Sequence, residues 1–565
     1  NVQLESDIQN LDEVVVIGYG VQKKRDLTGA VGVVDVQEMK KVQSTGIGEA
    51  LQGQLAGVSV RSGGSPGSWA NVRIRGVGSF SSVGPLYVID GLILNDADHL
   101  NVADIESVQI LKDASAAAIY GARGANGVII ITTKKGKEGP AQIEFSARYG
   151  VEELGKKIDM MESTEYLYYN QLSYINGGEE WLGRPMLGDT IPNTDWQDAI
   201  FSLGEVQDYN LSVAGGSANT KYMIGAGYFS QDGVLEGPWY NRLTFRVNSQ
   251  TTKGRITVGE NFSYIRSNQK YTNGGSFSNA LSMPPVIPVY DPDEVSGRGG
   301  YGYGNVMYPS YASNPVALQQ REDNTEMHNR LIGNVFAELE IVKGLKFKSN
   351  LGIDHWTGRH KIINEGHTVR YLSVETRWQN RLWEERVHRT NMSIDNTLTY
   401  NLNVGKHHFE ALLGNTVENS KWYFLGNEGY NQSVEGKWQI NLAQEQNNMW
   451  GWEGEYHVIS YLGRLNYNYD ERYLVQSNMR RDGSSKFGPN QKWGFFPSAS
   501  FGWRISNEAF FEPVKNTVSD LKFRVSYGSN GDQQALGAYD VTPTINHSGP
   551  YEGLYYVIGG QILEG

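Results

Sequence analysis

Beyond about residue 140 the chain alternates apolar and polar positions in run after run. Leu243, Phe245 and Val247 share one side of an extended segment, and Thr244, Arg246 and Asn248 take the other. The same division sets Ile256, Val258, Phe262 and Tyr264 against Thr257, Gly259, Asn261 and Ser263. It returns in Leu331, Val335, Ala337, Leu339 and Ile341 against Asn334, Glu338 and Glu340. Leu465/Tyr467/Tyr469, Ala499/Phe501/Trp503 and Leu521/Phe523/Val525/Tyr527 repeat it toward the end. Strand side chains point alternately to two faces, so such runs predict about thirteen strands, each with one apolar and one polar face. Before Gly139 the pattern is mixed. Short apolar runs predict strands over 31–36, 55–61, 71–75, 86–90 and 127–133. An alanine-rich stretch at 115–120 predicts a short helix, with Asp113 or Ser115 as N-cap and Gly121 suited to ending it. The first part is therefore a small α+β domain.

The connections between the alternating runs differ by side. Short links at 252–254, 342–344, 403–406 and 469–472 alternate with long ones at 266–329, 356–387 and 419–455. Soluble sandwiches join most strands by short loops. Short turns on one side and long loops on the other are the pattern of an outer-membrane barrel, apolar toward lipid and polar toward the lumen. Aromatics near strand ends (Tyr222, Tyr228, Tyr264, Tyr400, Tyr461, Tyr473, Trp503) would form its interface girdles. An edge left open in lipid strands its backbone groups, so the reading expects further strands after Gly565. It also expects chain before Asn1.

Composition narrows the classes. Among 565 residues there are 67 Gly, 33 Tyr, 13 Trp, 18 Phe and no Cys, with a net charge of -12. The aromatic share is too rich for a disordered chain, and the absence of Cys excludes a disulfide scaffold and thiol chemistry. The acidic balance argues against nucleic-acid binding. No stretch approaches the roughly 18 apolar residues of a membrane-spanning helix. A barrel of more than thirteen strands has a lumen that side chains cannot fill, and the preceding domain has the size and place of a plug. The run Leu11, Asp12, Glu13, Val14, Val15, Val16, Ile17 is β-prone and closed by Gly18 and Gly20. Its residue types leave two readings open: an exposed handle for strand addition by a partner, or an ordinary plug strand.

Competing chemistry is weak. Residues 63–67 (GGSPG) fit the G-x-S-x-G elbow, but Pro66 follows the serine and has no N–H for an oxyanion hole. The adjacent histidines His407 and His408 sit at a predicted turn, without a third ligand at metal spacing. The acidic loop 291–294 and the Gly-rich 299–304 read as solvated loops. No catalytic residue, metal site or cofactor is expected.

The stretches PLYVIDG at 85–91, AIYGARGANGV at 118–128 and RRDGSSKFG at 480–488 together resemble the SusC/RagA family of TonB-dependent outer-membrane transporters. The stretch LDEVVVIGYG at 11–20 looks like that family's TonB-box region. EALQGQLAGV at 49–58, VRIRG at 72–76, PLYVIDG at 85–91, DIESV at 104–108, LKDAS at 111–115 and AIYGARGANGV at 118–128 match its plug. RRDGSSKFG at 480–488, WGFFPS at 493–498 and FRVSYG at 523–528 match its barrel. The family's N-terminal extension domain and the end of its barrel are not in this sequence. The resemblance implies an all-β transmembrane barrel of 22 strands with an N-terminal α+β plug in its lumen. It divides the chain into a TonB-box region (1–20), a plug (21–139) and a partial barrel (140–565). It further implies a SusD-like lipoprotein lid, energy from the TonB–ExbB–ExbD complex, a dimer of SusC–SusD pairs, and residence in the bacterial outer membrane among its lipids. Oligosaccharides are the implied cargo, with oligopeptides the alternative. A passive porin or adhesive surface barrel is the reading from another class.

Sugars present C–H faces and hydroxyl edges, so aromatic platforms beside polar groups suit them. Candidate contacts are Arg61, Trp69, Arg75 and Phe80 in the plug stretch 61–82. Trp356, Trp378, Trp383, Trp438, Trp450 and Trp452 are expected in long barrel loops.

Overall fold

The computed structural model describes residues 14–42, 44–76, 84–178, 180, 191–291, 300–304, 308, 310, 312–371, 374–434, 436–534, 536–541, 544–546, 555–558 and 561–564. A short hairpin, β1 (Val14–Ile17) and β2 (Gly20–Lys23), opens it. The plug follows: β3 (Val31–Val33), α1 (Val36–Met39), α2 (Ile47–Ala50), β4 (Val58–Arg61), β5 (Asn71–Ile74), β6 (Leu86–Ile89), β7 (Leu92–Leu94), β8 (Ile105–Leu111), α3 (Ala114–Ala117) and β9 (Val128–Thr133). Its five-stranded sheet runs β3-β8-β9-β6-β7, with β6 and β9 parallel, and β4–β5 forms a separate hairpin. Alternate apolar residues of β8 and β9 fill both faces. Ile105, Val108, Ile110, Ile129 and Ile131 pack with Met39, Ile47 and Leu51, while Leu111, Val128 and Ile130 pack with Ile119 and Tyr120.

Among the described residues the rest comprises a loop hairpin, a small sheet of Thr544–Asn546, Tyr555–Ile558 and Gln561–Glu564, and one antiparallel meander of thirteen strands, each paired with the next strand of the meander. These are β10 (Gly139–Glu152), β11 (Gly204–Gly216), β12 (Thr220–Asp232), β13 (Trp239–Lys253), β14 (Ile256–Lys270), β15 (Glu322–Val342) and β16 (Leu345–Asn364). A loop hairpin of β17 (His367–Tyr371) and β18 (Val374–Trp378) intervenes. Then come β19 (Arg381–Val404), β20 (His407–Gln432), β21 (Ala443–Tyr469), β22 (Tyr473–Ser484), β23 (Trp493–Arg504) and β24 (Lys522–Gly528). The β10–β11 loop carries α4 (Ser163–Asn176) and the β14–β15 loop carries α5 (Ser276–Ser282) and α6 (Pro315–Arg321), and the two loops share a small core around Leu167, Trp196, Ile200, Met283 and Ile287.

Alternation in the sequence translates directly into sides. On β13 Leu243 and Phe245 are half exposed on the outer face, whereas Arg242, Thr244, Arg246 and Asn248 are buried facing the plug. One expectation needs correction. Trp356, Trp383, Trp450 and Trp452 were assigned to long loops but stand on β16, β19 and β21, and Trp378 ends β18. Strands β15, β16, β19, β20 and β21 run 20 to 27 residues, against the roughly 9–11 that cross a bilayer. Beyond the lipid nothing selects an apolar outward residue, so the alternation fades while the ladder continues. The short helix is also smaller than expected: α3 is capped by Asp113, whose carboxylate accepts from Ala116 N–H, and a 3-10 turn continues it to Arg123.

The plug meets the wall through polar groups. Arg480, 1% exposed, donates to the Ile119 carbonyl (2.8 Å) and pairs with Asp482 (2.6 Å), which accepts from Ala122 N–H (2.8 Å). Arg123 makes a bidentate pair with Glu418. Gly121 lies at this contact with φ +56°, and a Cβ there would meet the Asp482 carboxylate and come within 2.7 Å of Arg480. Gly121→Ala should weaken plug seating by about 2–4 kcal/mol, from backbone strain plus the displaced carboxylate. Arg480→Ala should cost about 3–5 kcal/mol by leaving Asp482 buried without its cation. Arg481→Ala, one residue on but facing outward over the Trp493 ring at 4.9 Å, should cost about 1 kcal/mol or less. Limited proteolysis of the plug across the three variants checks this ranking; equal losses at 480 and 481 would contradict it.

Candidate functional site

Two plug loops and the wall strands β13–β16 and β19 enclose a cavity of about 300 Å3 near the long-loop end of the barrel. The first loop, 62–70, joins β4 to β5 and is pressed against the wall. Gln269 Nε2 donates to the Pro66 carbonyl at 2.8 Å, and a Cβ on Gly67 would come within 2.3 Å of the Tyr240 ring. Glycine is required there by close approach, and its φ of +67° adds to the requirement. The loop thus presents Trp69, 72% exposed, to the cavity. The second loop brings Asn95, Asp96, Asp98 and His99.

The wall closes the site with rings and charges. Arg330 on β15 pairs bidentately with Asp354 on β16 (2.7 and 3.0 Å), and its Nη1 reaches Asp96 at 2.6 Å and His99 Nδ1 at 2.9 Å. One guanidinium therefore ties the second plug loop to two strands. Trp356 Nε1 donates to His328 Nδ1 at 2.9 Å, with the rings stacked at 5.0 Å. The other His328 nitrogen lies 3.0 Å from Glu326, which also accepts from the Tyr271 hydroxyl. Tyr271 leads through His360 to Trp383 and Trp450 in a run of ring contacts of 5.0–5.8 Å up the wall. Arg389 lines the cavity with its Nε buried and without a hydrogen-bond partner among the described residues.

Burial and neighbours set the charges of the plug loop. Burial raises the Asp96 carboxyl, but Arg330 and His99 outweigh it, so Asp96 stays well below its usual range. Burial together with Arg330 lowers His99, keeping its ring neutral. Asp98 has burial and then the Asp96 and Glu49 charges against it, and is pushed up to about 7. The site can stack a flat, weakly polar face on Trp69 or Trp356, meet hydroxyls with Asn95, Ser68 and Ser267, and offer one uncommitted guanidinium.

Of the residues expected from sequence, the structure brings Trp69 and Trp356 into this cavity. Trp383 and Trp450 stand together above it, and Trp452 is 63% exposed against Phe424. Arg61 and Arg75 are exposed on β4 and just past β5; in that hairpin Arg61 pairs with Asn71 and Val58 with Ile74, which separates them. Trp438 lies in the β20–β21 loop, its carbonyl accepting from Lys361 Nζ at 3.1 Å. Phe80 and the Trp378 side chain lie outside the described residues, as do Leu11, Asp12 and Glu13. Val14, Val15, Val16 and Ile17 form β1, paired with β2. Sequence reasoning missed Tyr271, Glu326, His328, Arg330 and Arg389. Residues 325–330 (TEMHNR) hold a single apolar residue and read as loop, although they continue the inward parity of β15.

A family model described as the TonB-dependent Receptor Plug Domain matches residues 23–128. The TonB-dependent receptor SusC of Bacteroides thetaiotaomicron is 33% identical over 94% of this chain and 55% of its own length. The TonB-dependent receptor P3 of Formosa agariphila is 33% identical over 100% of this chain and 55% of its own. The chain thus spans about half the length of the curated relatives it matches. The RagAB peptide importer in its open-open state superposes with a TM-score of 0.81 at 26% identity, over 96% of this chain and 64% of that one. The unliganded ferric citrate transporter FecA shares the fold alone, at a TM-score of 0.54 and 10% identity, over 88% of this chain and 67% of that one.

Asp98 gives the site a pH signature. Its carboxyl is raised in the folded protein from an ordinary value of 3.8 to about 7, so the folded state holds a proton that the unfolded chain releases. Its contribution to stability is complete below about pH 4 and is lost as pH rises toward 7. Asp98→Asn should flatten that part of the thermal-unfolding profile between pH 4 and 7; an unchanged slope would contradict the assignment.

Proposed function

The chain belongs to the SusC/RagA-type TonB-dependent receptors, outer-membrane β-barrels with a plug, and on that premise we propose that it imports oligosaccharides into the periplasm. The observation that carries this reading is the cavity on the plug, where Trp69 and Trp356 offer stacking faces amid polar side chains. A cargo resting there cannot pass while Arg330 holds the plug loop to the wall, so movement requires work. We assign the coupling handle to residues 1–20, with Leu11, Asp12, Glu13, Val14, Val15, Val16 and Ile17 as the strand offered to TonB of the TonB–ExbB–ExbD complex. Residues 21–139 are then the plug and 140–565 barrel. Arg61, Arg75, Phe80, Trp378, Trp383, Trp450 and Trp452 remain candidate cargo contacts beside Trp69, of which the ring run through Trp383 and Trp450 has the strongest geometric support.

A SusD-like lipoprotein is the proposed lid, with the functional unit a dimer of such pairs. The packed outer loops support a docking platform: α4 buries Leu167 in their core and leaves Tyr168, Tyr169, Leu172 and Ile175 exposed. Oligopeptide import is the second reading, favoured by the likeness to the RagAB peptide importer. A passive porin is disfavoured by the buried ion pairs that fix the plug.

Calorimetric titration of the full-length receptor with defined oligosaccharides and oligopeptides decides the cargo. Oligosaccharide binding is expected, weakened about tenfold by Trp356→Ala through lost stacking. A peptide hit without a glycan hit would replace the cargo class. Deleting residues 11–17 should abolish uptake while leaving the Kd within about twofold; uptake surviving the deletion would sink the energised mechanism.

A further inference from the structure

Three cavities lie in a row between the plug and the wall of β13–β16. The outer one is the site described above. A middle one of about 30 Å3 shares His99 and Ile265 with it. An inner one of about 450 Å3 shares Asp90, Asn261 and Asn334 with the middle one and runs along Gln250, Thr252, Glu338 and Lys346 to the short-turn end of the barrel. The plug side of the middle and inner cavities is the stretch 89–104, together with Lys135 at the inner end; the outer cavity adds Thr45 and loop residues 67–69. The middle cavity has room for about two waters, so the row is closed at rest.

Polar clasps close it. At the outer end Arg330 holds Asp96, and Arg242 donates to the Asp98 carbonyl at 3.1 Å. At the inner end a single oxygen of Asp90 accepts from Arg246 (3.0 Å), Asn261 and Thr133. Asp90 occupies a two-residue turn between β6 and β7, where it and Gly91 have φ of +50° and +88°, the geometry an Asp-Gly pair favours in a hairpin. The turn places its carboxylate in the seam. The opposite side of the plug is held differently. Arg480, Asp482 and Glu418 bind the backbone and side chains of 119–123, Asn478 donates to the Ser115 carbonyl, and Leu412 and Leu462 join the plug core.

We infer that cargo crosses along the seam between plug segment 89–104 and wall strands β13–β16, which opens by displacement of that segment while the plug stays fixed to β20–β23. This rests on the import reading above. Opening uncovers Leu92, Leu94 and Leu100 from a cluster they share with Ile265 and Ile332 of the wall, while the apolar cluster on the fixed side stays covered. It exchanges the clasp contacts of Arg246 and Arg330 for contacts with water and with a hydroxylated or amide-bearing cargo, which supplies the same donors and acceptors. The inner cavity, lined by polar and charged side chains, then forms a wet exit.

Because the chain has no cysteine, paired cysteines clamp either side selectively in the full-length receptor. Leu92→Cys with Gly352→Cys clamps the seam; a Cβ on Gly352 lies within 2.3 Å of the Leu92 side-chain tip. Ala122→Cys with Gly531→Cys clamps the fixed side; a Cβ on Gly531 lies 3.3 Å from Ala122 Cα. Uptake and binding are measured with a cargo that the unsubstituted receptor imports, before and after reduction. A receptor that imports no oligosaccharide or peptide would end the import reading itself, separately from the clamps. The oxidised seam clamp is expected to lower uptake about tenfold or more, restored by reductant, with binding unchanged, and the fixed-side clamp to leave uptake within about twofold. A fixed-side clamp that blocks uptake equally would show that the whole plug leaves and would overturn the inference, as would a seam clamp that transports normally. Should a double variant misfold, Thr244→Cys, buried on the middle cavity, should react with an impermeant thiol reagent during uptake and not at rest; no reaction in either state would contradict the route.

Discussion

A β-barrel in lipid must turn one side chain in two inward, and here many of those inward residues are arginines that need partners. Arg242, Arg246, Arg464, Arg480 and Arg504 are each 5% exposed or less. A guanidinium out of water is tolerable only when paired or hydrogen-bonded. Side chains on the wall meet part of that need, as Asp482 does for Arg480. Much of the rest comes from plug backbone: the carbonyls of Thr45, Asp98, Ile119 and Arg25 accept from Arg242, Arg480 and Arg504. The plug is thus the polar filling that the wall chemistry demands. The same contacts can be exchanged for water, which a shared hydrophobic core could not do.

This division of labour explains why the plug holds two separate apolar clusters of its own. Among the described residues, only Ile265 and Ile332 of the wall join one buried cluster, and Leu412 and Leu462 the other. The outer loops repeat the arrangement with a third core. Between them lies the cavity, where Arg330 links the plug loop at Asp96 to the wall at Asp354. The cavity lining and the plug–wall clasp therefore share a residue, so a ligand that takes hydrogen bonds from Arg330 competes with Asp96 for it.

Much of the fold was legible in the sequence because lipid enforces it. Period two is strict wherever an outward residue meets hydrocarbon, and the inward set of β13 could be read directly from Thr244, Arg246 and Asn248. Legibility ended where water replaced lipid. The extensions of β15, β16, β19 and β21 carry Glu326, His328, Trp356, Trp383 and Trp450 on a ladder whose outward residues are free to be polar, so they read as loop. The plug motifs pointed to the family but not to geometry. Asp90 and Ala122 matter through hydrogen bonds with Arg246 and Asp482, 156 and 360 residues away, and no local pattern encodes such pairings. Trp69 was legible because an aromatic platform in a plug loop suits a sugar cargo that must rest on the plug.

The central claim is that the plug is held to an independently stable wall by exchangeable polar contacts. Hydrogen exchange of the full-length receptor in increasing urea tests it most directly. The account predicts that amides of β6–β9 lose protection at low urea while those of β13–β16 and β20–β22 remain protected. Simultaneous loss from plug and wall would mean one shared cooperative unit, and would contradict the account.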